Sequence, residues 1–149
     1  MDSPYANTTL TASKADRQIK SLKSELERLL PKGAKLAPAP DGTDKPTALG
    51  VQCGDPNSAD LRAPTQYNYG YEVQGVSSRA QFPAIADRVF NHFARKSGWT
   101  VDDKASNSDW DLRSPGDYLV SLVISPDGDL LSITLSTPCV PKSSQTFMP

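Results

Sequence analysis

The residues of this chain that could do chemistry are one histidine, two cysteines and a set of carboxylates. Histidine is the one side chain that ordinarily changes charge near neutral pH, so His92 is the candidate general base. Together with a carboxylate such as Asp87, it would suit a hydrolase. His92 also borders an apolar helical stripe, as a histidine at the rim of a core would, and no serine stands in a Gly-x-Ser-x-Gly pattern. We therefore predict no catalytic residue and keep a His92 hydrolase as the alternative.

The ligand spacing of a metal site is also missing from the sequence. Two cysteines and one histidine supply at most three ligands, whereas a structural zinc site takes four. An acidic stretch surrounds Trp110, but it lacks the D-x-[DN]-x-[DN]-G spacing of a calcium loop. Its acidic members are Asp102, Asp103, Asp109 and Asp111. We interpret these carboxylates as turn-forming and solubilising, and predict no metal and no cofactor.

The two cysteines are predicted to form a disulfide. Cys53 lies in a turn-rich loop and Cys139 follows the last predicted strand, and neither lies on a periodic apolar face where a buried thiol is usual. Their pairing would close a loop of about 86 residues, since 139 minus 53 is 86. A disulfide implies an oxidising, extracytoplasmic compartment. Two free thiols remain the alternative.

Five aromatic residues make up the candidate binding site: Tyr67, Tyr69, Tyr71, Trp99 and Trp110. Tyrosine and tryptophan favour interfaces because each has an apolar body and a polar tip. The binding hypothesis places a ligand groove at the face or rim of the sheet that carries them. In a domain of this size the same rings can instead cover the core, and the sequence leaves both interpretations open.

Composition limits the kind of protein that positions these residues. The chain has 149 residues, the size of a single domain, and a net charge of −1, which argues against a general nucleic-acid binder. Hydrophobic residues make up 37%, below the usual share, so part of the chain is expected to lie outside the core. No apolar run approaches the ~18 residues of a membrane span.

The first half of the chain divides into three segments. Residues 1–11 are a polar lead. Residues 12–30 form an amphipathic helix with a Ser13–Asp16 capping pair, and its apolar stripe is Ala15, Ile19, Leu22, Leu26 and Leu29. This stripe either docks on the rest of the domain or pairs with a partner helix. Residues 31–66 are a proline-rich crossing segment with a short strand around 48–53.

Residues 67–140 are predicted to be an α+β core with the order β-α-β-β-β. A strand of alternating tyrosines over 67–73 precedes a helix with apolar residues from Phe82 to Phe93, closed by Gly98 at its C-terminal cap. A second strand starts at Trp99, and residues 110–113 either resume it or pair with it. The strands over 118–125 and 130–137 follow and are joined by a tight hairpin. We expect one helix packed on an antiparallel sheet, and a disordered tail over 141–149.

Two short stretches resemble parts of a known group of proteins. Residues 1–9, Met-Asp-Ser-Pro-Tyr-Ala-Asn-Thr-Thr, are similar to the segment just after the lipidated cysteine of small secreted actinobacterial lipoproteins. Residues 135–140, Leu-Ser-Thr-Pro-Cys-Val, look like the last strand of such proteins, including the LppA-like group of Streptomyces and mycobacteria. The resemblance implies an exported domain of unknown function, tethered to the membrane by a lipid.

These observations favour a non-enzymatic extracytoplasmic domain that binds or scaffolds another component of the cell envelope. The expected partner is an envelope protein or a small apolar or amphipathic ligand, and not a nucleic acid. The membrane is contacted only through the N-terminal lipid anchor, and the chain is expected to be a monomer. The alternatives are the His92 hydrolase and an assembly factor that acts through the helix over 12–30.

Overall fold

The computed structural model describes residues 10–38, 51–52, 65–106 and 109–140. The predictions for residues 1–9, for the tail over 141–149, for Cys53 and for most of the proline-rich segment lie outside these residues. The described helices are α1 (Ala12–Leu29) and α2 (Phe82–Ala94), and a 3₁₀ turn at Arg79–Gln81 leads into α2. The strands are β1 (Lys35–Pro38), β2 (Val51–Gln52), β3 (Thr65–Gln66), β4 (Asn68–Gln74), β5 (Thr100–Ser106), β6 (Asp109–Arg113), β7 (Leu119–Ile124) and β8 (Leu131–Ser136).

Six of these strands form one antiparallel sheet in the order β1-β4-β8-β7-β6-β5, and β2 pairs with β3 separately. Strands β5 to β8 form the expected antiparallel meander, but it has four strands and not three, because residues 109–113 pair with β5 as a separate strand. The connection through α2 runs from β4 to β5 at the far edge, past the three strands between them. Because α1 contacts β1, β8 and α2, and α2 contacts β6 and β7, both helices lie on the same face. The α+β prediction, with helix packed on an antiparallel sheet, is confirmed.

Side-chain alternation in the strands builds the covered face of the sheet. Every second residue of β4 is buried: Tyr69, Tyr71 and Val73. Tyr71 lies opposite Ile133 of β8, and Ile133 lies opposite Leu122 of β7. All three side chains are buried, so a single apolar row crosses the sheet beneath the helices. The uncovered face carries short polar side chains that include Asn68, Ser121, Ser132 and Thr134.

Helix α1 forms where the apolar stripe predicts it, but its cap differs from the prediction. The side chain of Thr11, not of Ser13, accepts a hydrogen bond from the backbone N–H of Lys14. Asp16 is instead used by the sheet, since the Tyr69 hydroxyl donates to it at 3.0 Å. The stripe packs into the core of this chain, with Ile19 and Leu26 fully buried.

Helix α2 begins with Pro83 in its first turn, where no helical N–H is required, as predicted. It ends at Ala94 with Arg95 as the cap, so the prediction of Gly98 as the capping glycine is wrong. Gly98 has the positive φ of 83° that the pattern suggested, but it lies in a turn after the helix, between Lys96 and Trp99. The physical reason is that the chain leaves α2 through successive turns before it enters β5.

Strand β1 was not predicted, because its segment is rich in proline. It pairs with β4 at the edge of the sheet, where the missing N–H of Pro38 is tolerated. The turns that bring β1 beside β4 contain Gly33 and Gly75, both with positive φ. Strand β2 falls within the stretch 48–53, where a short strand was expected. In the described part of the chain, no helix combines the length and apolar character needed to cross a bilayer.

Candidate functional site

The five aromatic residues of the predicted binding groove belong mainly to the core. Four of them, Tyr67, Tyr69, Tyr71 and Trp110, are each no more than 8% exposed. Trp99 is half-buried, and the centroid of its ring lies 4.7 Å from that of Phe93. Their burial fits the second interpretation of these rings, in which they cover the core. The reason is that α1 docks across β4 and covers its aromatic face, so the alternation marks core positions. Burial also raises the pKa of the Tyr67 phenol.

Two lysines of α1 complete this cover. The ammonium groups of Lys20 and Lys23 lie 5.4 and 5.0 Å from the ring centroids of Tyr69 and Tyr71. Through these cation–π contacts, α1 covers the tyrosine rings with its lysine side chains as well as with its apolar stripe. The basic character of α1 thus has a structural use in this fold.

His92 lies in a three-residue cluster between the two helices. Its Nε2 is 2.7 Å from Oε2 of Glu25 on α1, and the same oxygen accepts a hydrogen bond from Lys96 Nζ at 2.7 Å. The predicted partner Asp87 is exposed on α2 and is not part of this cluster. The sequence prediction chose a carboxylate on the histidine's own helix, whereas helix packing supplies one from the other helix.

The electrostatics of this cluster favour a structural role. Partial burial would raise the pKa of Glu25, but the hydrogen bonds from Lys96 and His92 outweigh it and lower that pKa. Among the described residues, no hydrogen bond joins His92 to a serine, threonine or cysteine side chain. The cluster joins α1 to α2.

A different part of the described structure has a concave surface. An open cavity of about 470 Å³ lies where the start of α2 meets the β7–β8 turn. We call it the turn cleft, and it is lined by residues 78–80, Phe82, Pro83, Ile124 and residues 127–129. Its volume lies in the range of small-molecule sites, about 300–1,000 Å³. Phe82 and Ile124 are buried in the core and form an apolar floor.

Local hydrogen bonds hold both walls of the turn cleft. On the α2 side, the Ser78 hydroxyl accepts from the backbone N–H of Ala80 at 3.1 Å. On the opposite side, one oxygen of Asp127 accepts from the Ser125 hydroxyl at 2.8 Å and from the Asp129 N–H at 3.1 Å. The positive φ of Gly128, 75°, closes that turn. The walls are therefore shaped by the chain itself.

An ion pair between Arg79 and Asp129 spans the mouth of the cleft. Their side chains are 66% and 49% exposed, and an ion pair in water at that exposure is worth about 0–1 kcal/mol. A ligand could therefore take over either charge at small cost. The turn cleft therefore combines buried apolar residues with two exposed charged residues.

The remaining predictions from the sequence concern a metal site and the two cysteines. Among the residues with described placement, no group of three metal-ligating side chains is found, and no cysteine carries a free thiol. Cys53 lies outside the described residues, so its disulfide with Cys139 stays a prediction. Cys139 itself is half-buried just before Val140, which is fully buried in the core.

The sequence interpretation missed the turn cleft because no motif marks it. Arg79 and Asp129 are single charges in turn-forming segments, and only the docking of α2 on the sheet brings them together. The one local signal is the tight turn at residues 126–129, which was predicted as a hairpin but not as a wall of a site.

Comparison with protein families, with curated proteins and with solved structures finds no match to this chain.

Proposed function

We propose that this chain is a non-catalytic binding domain of the cell envelope, exported and tethered by a lipid, that holds a small amphipathic ligand in the turn cleft. The observation that carries the proposal is the cleft itself: an apolar floor of Phe82 and Ile124 beneath the Arg79–Asp129 ion pair. Apolar walls with a few placed polar groups are the usual build of a ligand site.

The envelope location is supported by the similarity of residues 1–9 and 135–140 to actinobacterial lipoproteins such as the LppA-like group. The predicted disulfide between Cys53 and Cys139 would suit such an oxidising compartment. The lipid would lie before the polar lead, and the turn cleft lies among the described residues.

A binding role fits the described chemistry better than hydrolysis does. The one histidine is bonded to Glu25 between two helices, away from the residues that line the turn cleft. Helix-mediated assembly is also less favoured, because the stripe that would pair with a partner helix is buried against this chain's own sheet. Sedimentation equilibrium is expected to give the mass of one chain, whereas a concentration-dependent dimer would favour assembly.

The test of ligand binding uses three probes that share a phenyl ring: 2-phenylethylammonium, 3-phenylpropionate and phenylalanine. Each is titrated into ¹⁵N-labelled protein while amide shifts are recorded. We expect saturable shifts of residues 78–82 and 124–129 with at least one probe. The absence of saturable shifts there with all three probes would overturn the proposed function.

Two variants in which tryptophan replaces an alanine provide the control. Ala80→Trp fills the cleft and is expected to abolish the saturable shifts, since Ala80 lines it. Ala84→Trp places the same ring on an exposed position of α2 outside the cleft and is expected to leave them unchanged. Saturable shifts that persist in Ala80→Trp would show that the probes bind elsewhere, and equal loss in both variants would show that binding does not depend on the cleft; either outcome contradicts the proposal.

A further inference from the structure

We infer that the ligand class of the turn cleft is an α-amino acid with an apolar side chain, bound as a zwitterion. This inference rests on the proposed function and specifies its ligand. The rim of the cleft carries one cation and one anion in direct contact, Arg79 and Asp129, above the apolar floor. A ligand that matches this rim carries both charges close together and an apolar group beside them.

The spacing of the charges selects the α-amino acid. Its ammonium and carboxylate are bonded to the same carbon, so they can face a protein ion pair whose two members touch each other. The ligand carboxylate would lie on the Arg79 guanidinium, which offers planar paired donors. The ligand ammonium would lie on Asp129, with the second carboxylate, Asp127, adjacent in the same wall.

The three charged residues of the cleft differ in how firmly other contacts hold their side chains. Asp127 already accepts two hydrogen bonds inside its turn, from the Ser125 hydroxyl and the Asp129 N–H, so it adds negative charge without moving. Arg79 and Asp129 are each about half exposed or more, and neither is held in a buried network. A zwitterion can insert between them and restore both ion pairs, whereas a ligand of single charge leaves one partner unpaired.

The apolar part of the ligand has a defined place. Phe82 is 3% and Ile124 is 9% exposed, so their accessible surfaces form a small patch at the base of the cleft, with Pro83 beside them. An amino acid with a phenyl or branched aliphatic side chain would cover this patch. Glycine has the same two charges but no side chain, and it is expected to bind poorly.

The experiment compares the affinities of the three phenyl probes, with glycine as a fourth ligand, from the same amide titrations. We expect phenylalanine to bind at least ten-fold more tightly than 2-phenylethylammonium, 3-phenylpropionate or glycine. Equal affinities of the phenyl probes at the cleft would overturn the zwitterion assignment and leave the proposed function standing. Loss of binding by all probes would instead overturn the proposed function.

Variants that remove one protein charge test which residue of the cleft binds the carboxylate of the ligand and which binds its ammonium group. Arg79→Gln is expected to lower the affinity of phenylalanine at least ten-fold while leaving that of 2-phenylethylammonium unchanged or higher. Asp129→Asn is expected to lower the affinity of phenylalanine while sparing 3-phenylpropionate. The controls are Arg95→Gln and Asp87→Asn, exposed residues outside the cleft, and both should match the wild type. If either cleft variant binds phenylalanine like its control, the assignment is wrong.

Discussion

The carboxylate of Glu25 on α1 lies 2.7 Å from Nζ of Lys96, which follows the end of α2. His92 contacts the same oxygen, so one carboxylate joins the two helices that cover the sheet. The Glu25 side chain is 21% exposed and its partners His92 and Lys96 are 37% and 38% exposed, so water weakens these interactions. Its contribution to stability is therefore modest but measurable.

The first prediction concerns Glu25 and acid. The folded-state pKa of Glu25 lies below its ordinary value of 4.5, so its stabilisation is present above pH 4.5 and is lost as the pH falls through the folded-state pKa. We expect Glu25→Gln to lower the unfolding free energy by about 1 kcal/mol at pH 7 and by less at pH 3. Urea titrations at both values measure this. Asp87→Asn, an exposed carboxylate change, should have no effect at pH 7; a pH-independent loss in Glu25→Gln would contradict the prediction.

A pair of glycines separates backbone strain from steric clash. A Cβ on Gly75 would lie 2.4 Å from the carbonyl oxygen of Gly33, whereas a Cβ on Gly128 would meet nothing within 4 Å. Both residues have positive φ, so alanine costs about 1–2 kcal/mol of strain at each. We expect Gly75→Ala to cost roughly 1–3 kcal/mol more, because β1 must move from β4. Thermal unfolding of the two variants checks this, and equal losses would contradict it.

The burial of Tyr69 predicts a stability effect of its own. Its ring is fully buried and its hydroxyl bonds to Asp16 on α1. We expect Tyr69→Ala to cost about 3–5 kcal/mol and Tyr69→Phe about 1 kcal/mol, because the second change removes only the hydrogen bond. Chemical unfolding followed by tryptophan fluorescence gives both values. A fully stable Tyr69→Ala protein would restore the possibility that this ring belongs to an exposed groove.

The predicted disulfide is tested by the mass of the unreduced protein. Loss of two hydrogens relative to the reduced chain is expected, with Cys53 and Cys139 joined in a tryptic digest. In the chain-entropy account, a closed loop of about 86 residues stabilises the fold by about 4.5 kcal/mol, so reductant should lower the urea midpoint. The variant with both cysteines changed to serine should not respond to reductant. Two alkylatable thiols in protein never exposed to reductant would contradict the prediction.

Much of this fold is readable from local patterns. The alternation of Tyr69, Tyr71 and Val73 in β4, and the helical spacing from Phe82 to Phe93, each predict an element close to its observed bounds. These patterns succeed because one face of each element is buried and the other is not. The hairpin between β7 and β8 is readable for a second reason: its Pro-Asp-Gly-Asp turn has strong local preferences.

The parts that were missed depend on contacts between distant segments. Strand β1 is a short, proline-containing segment that is held by β4 and by contacts with α1, so composition alone suggested a linker. The helix-cap prediction failed at Ser13 because Thr11, two residues earlier, has an equally suitable side chain. The His92–Glu25 pair and the Arg79–Asp129 pair join residues that lie far apart in the sequence and share no motif. Packing of helices on the sheet decides all of these contacts.

The order of the strands has a consequence for biosynthesis. Strand β8 lies between β4 and β7, so the strand made last joins the earlier β1–β4 ribbon to the later β5–β7 ribbon. Helix α1, made first, also rests against β8. A nascent chain that has not yet emerged past residue 136 therefore cannot close its sheet. A premature stop codon ahead of β8 would leave the two ribbons unjoined, and we expect its product to have no stable native state.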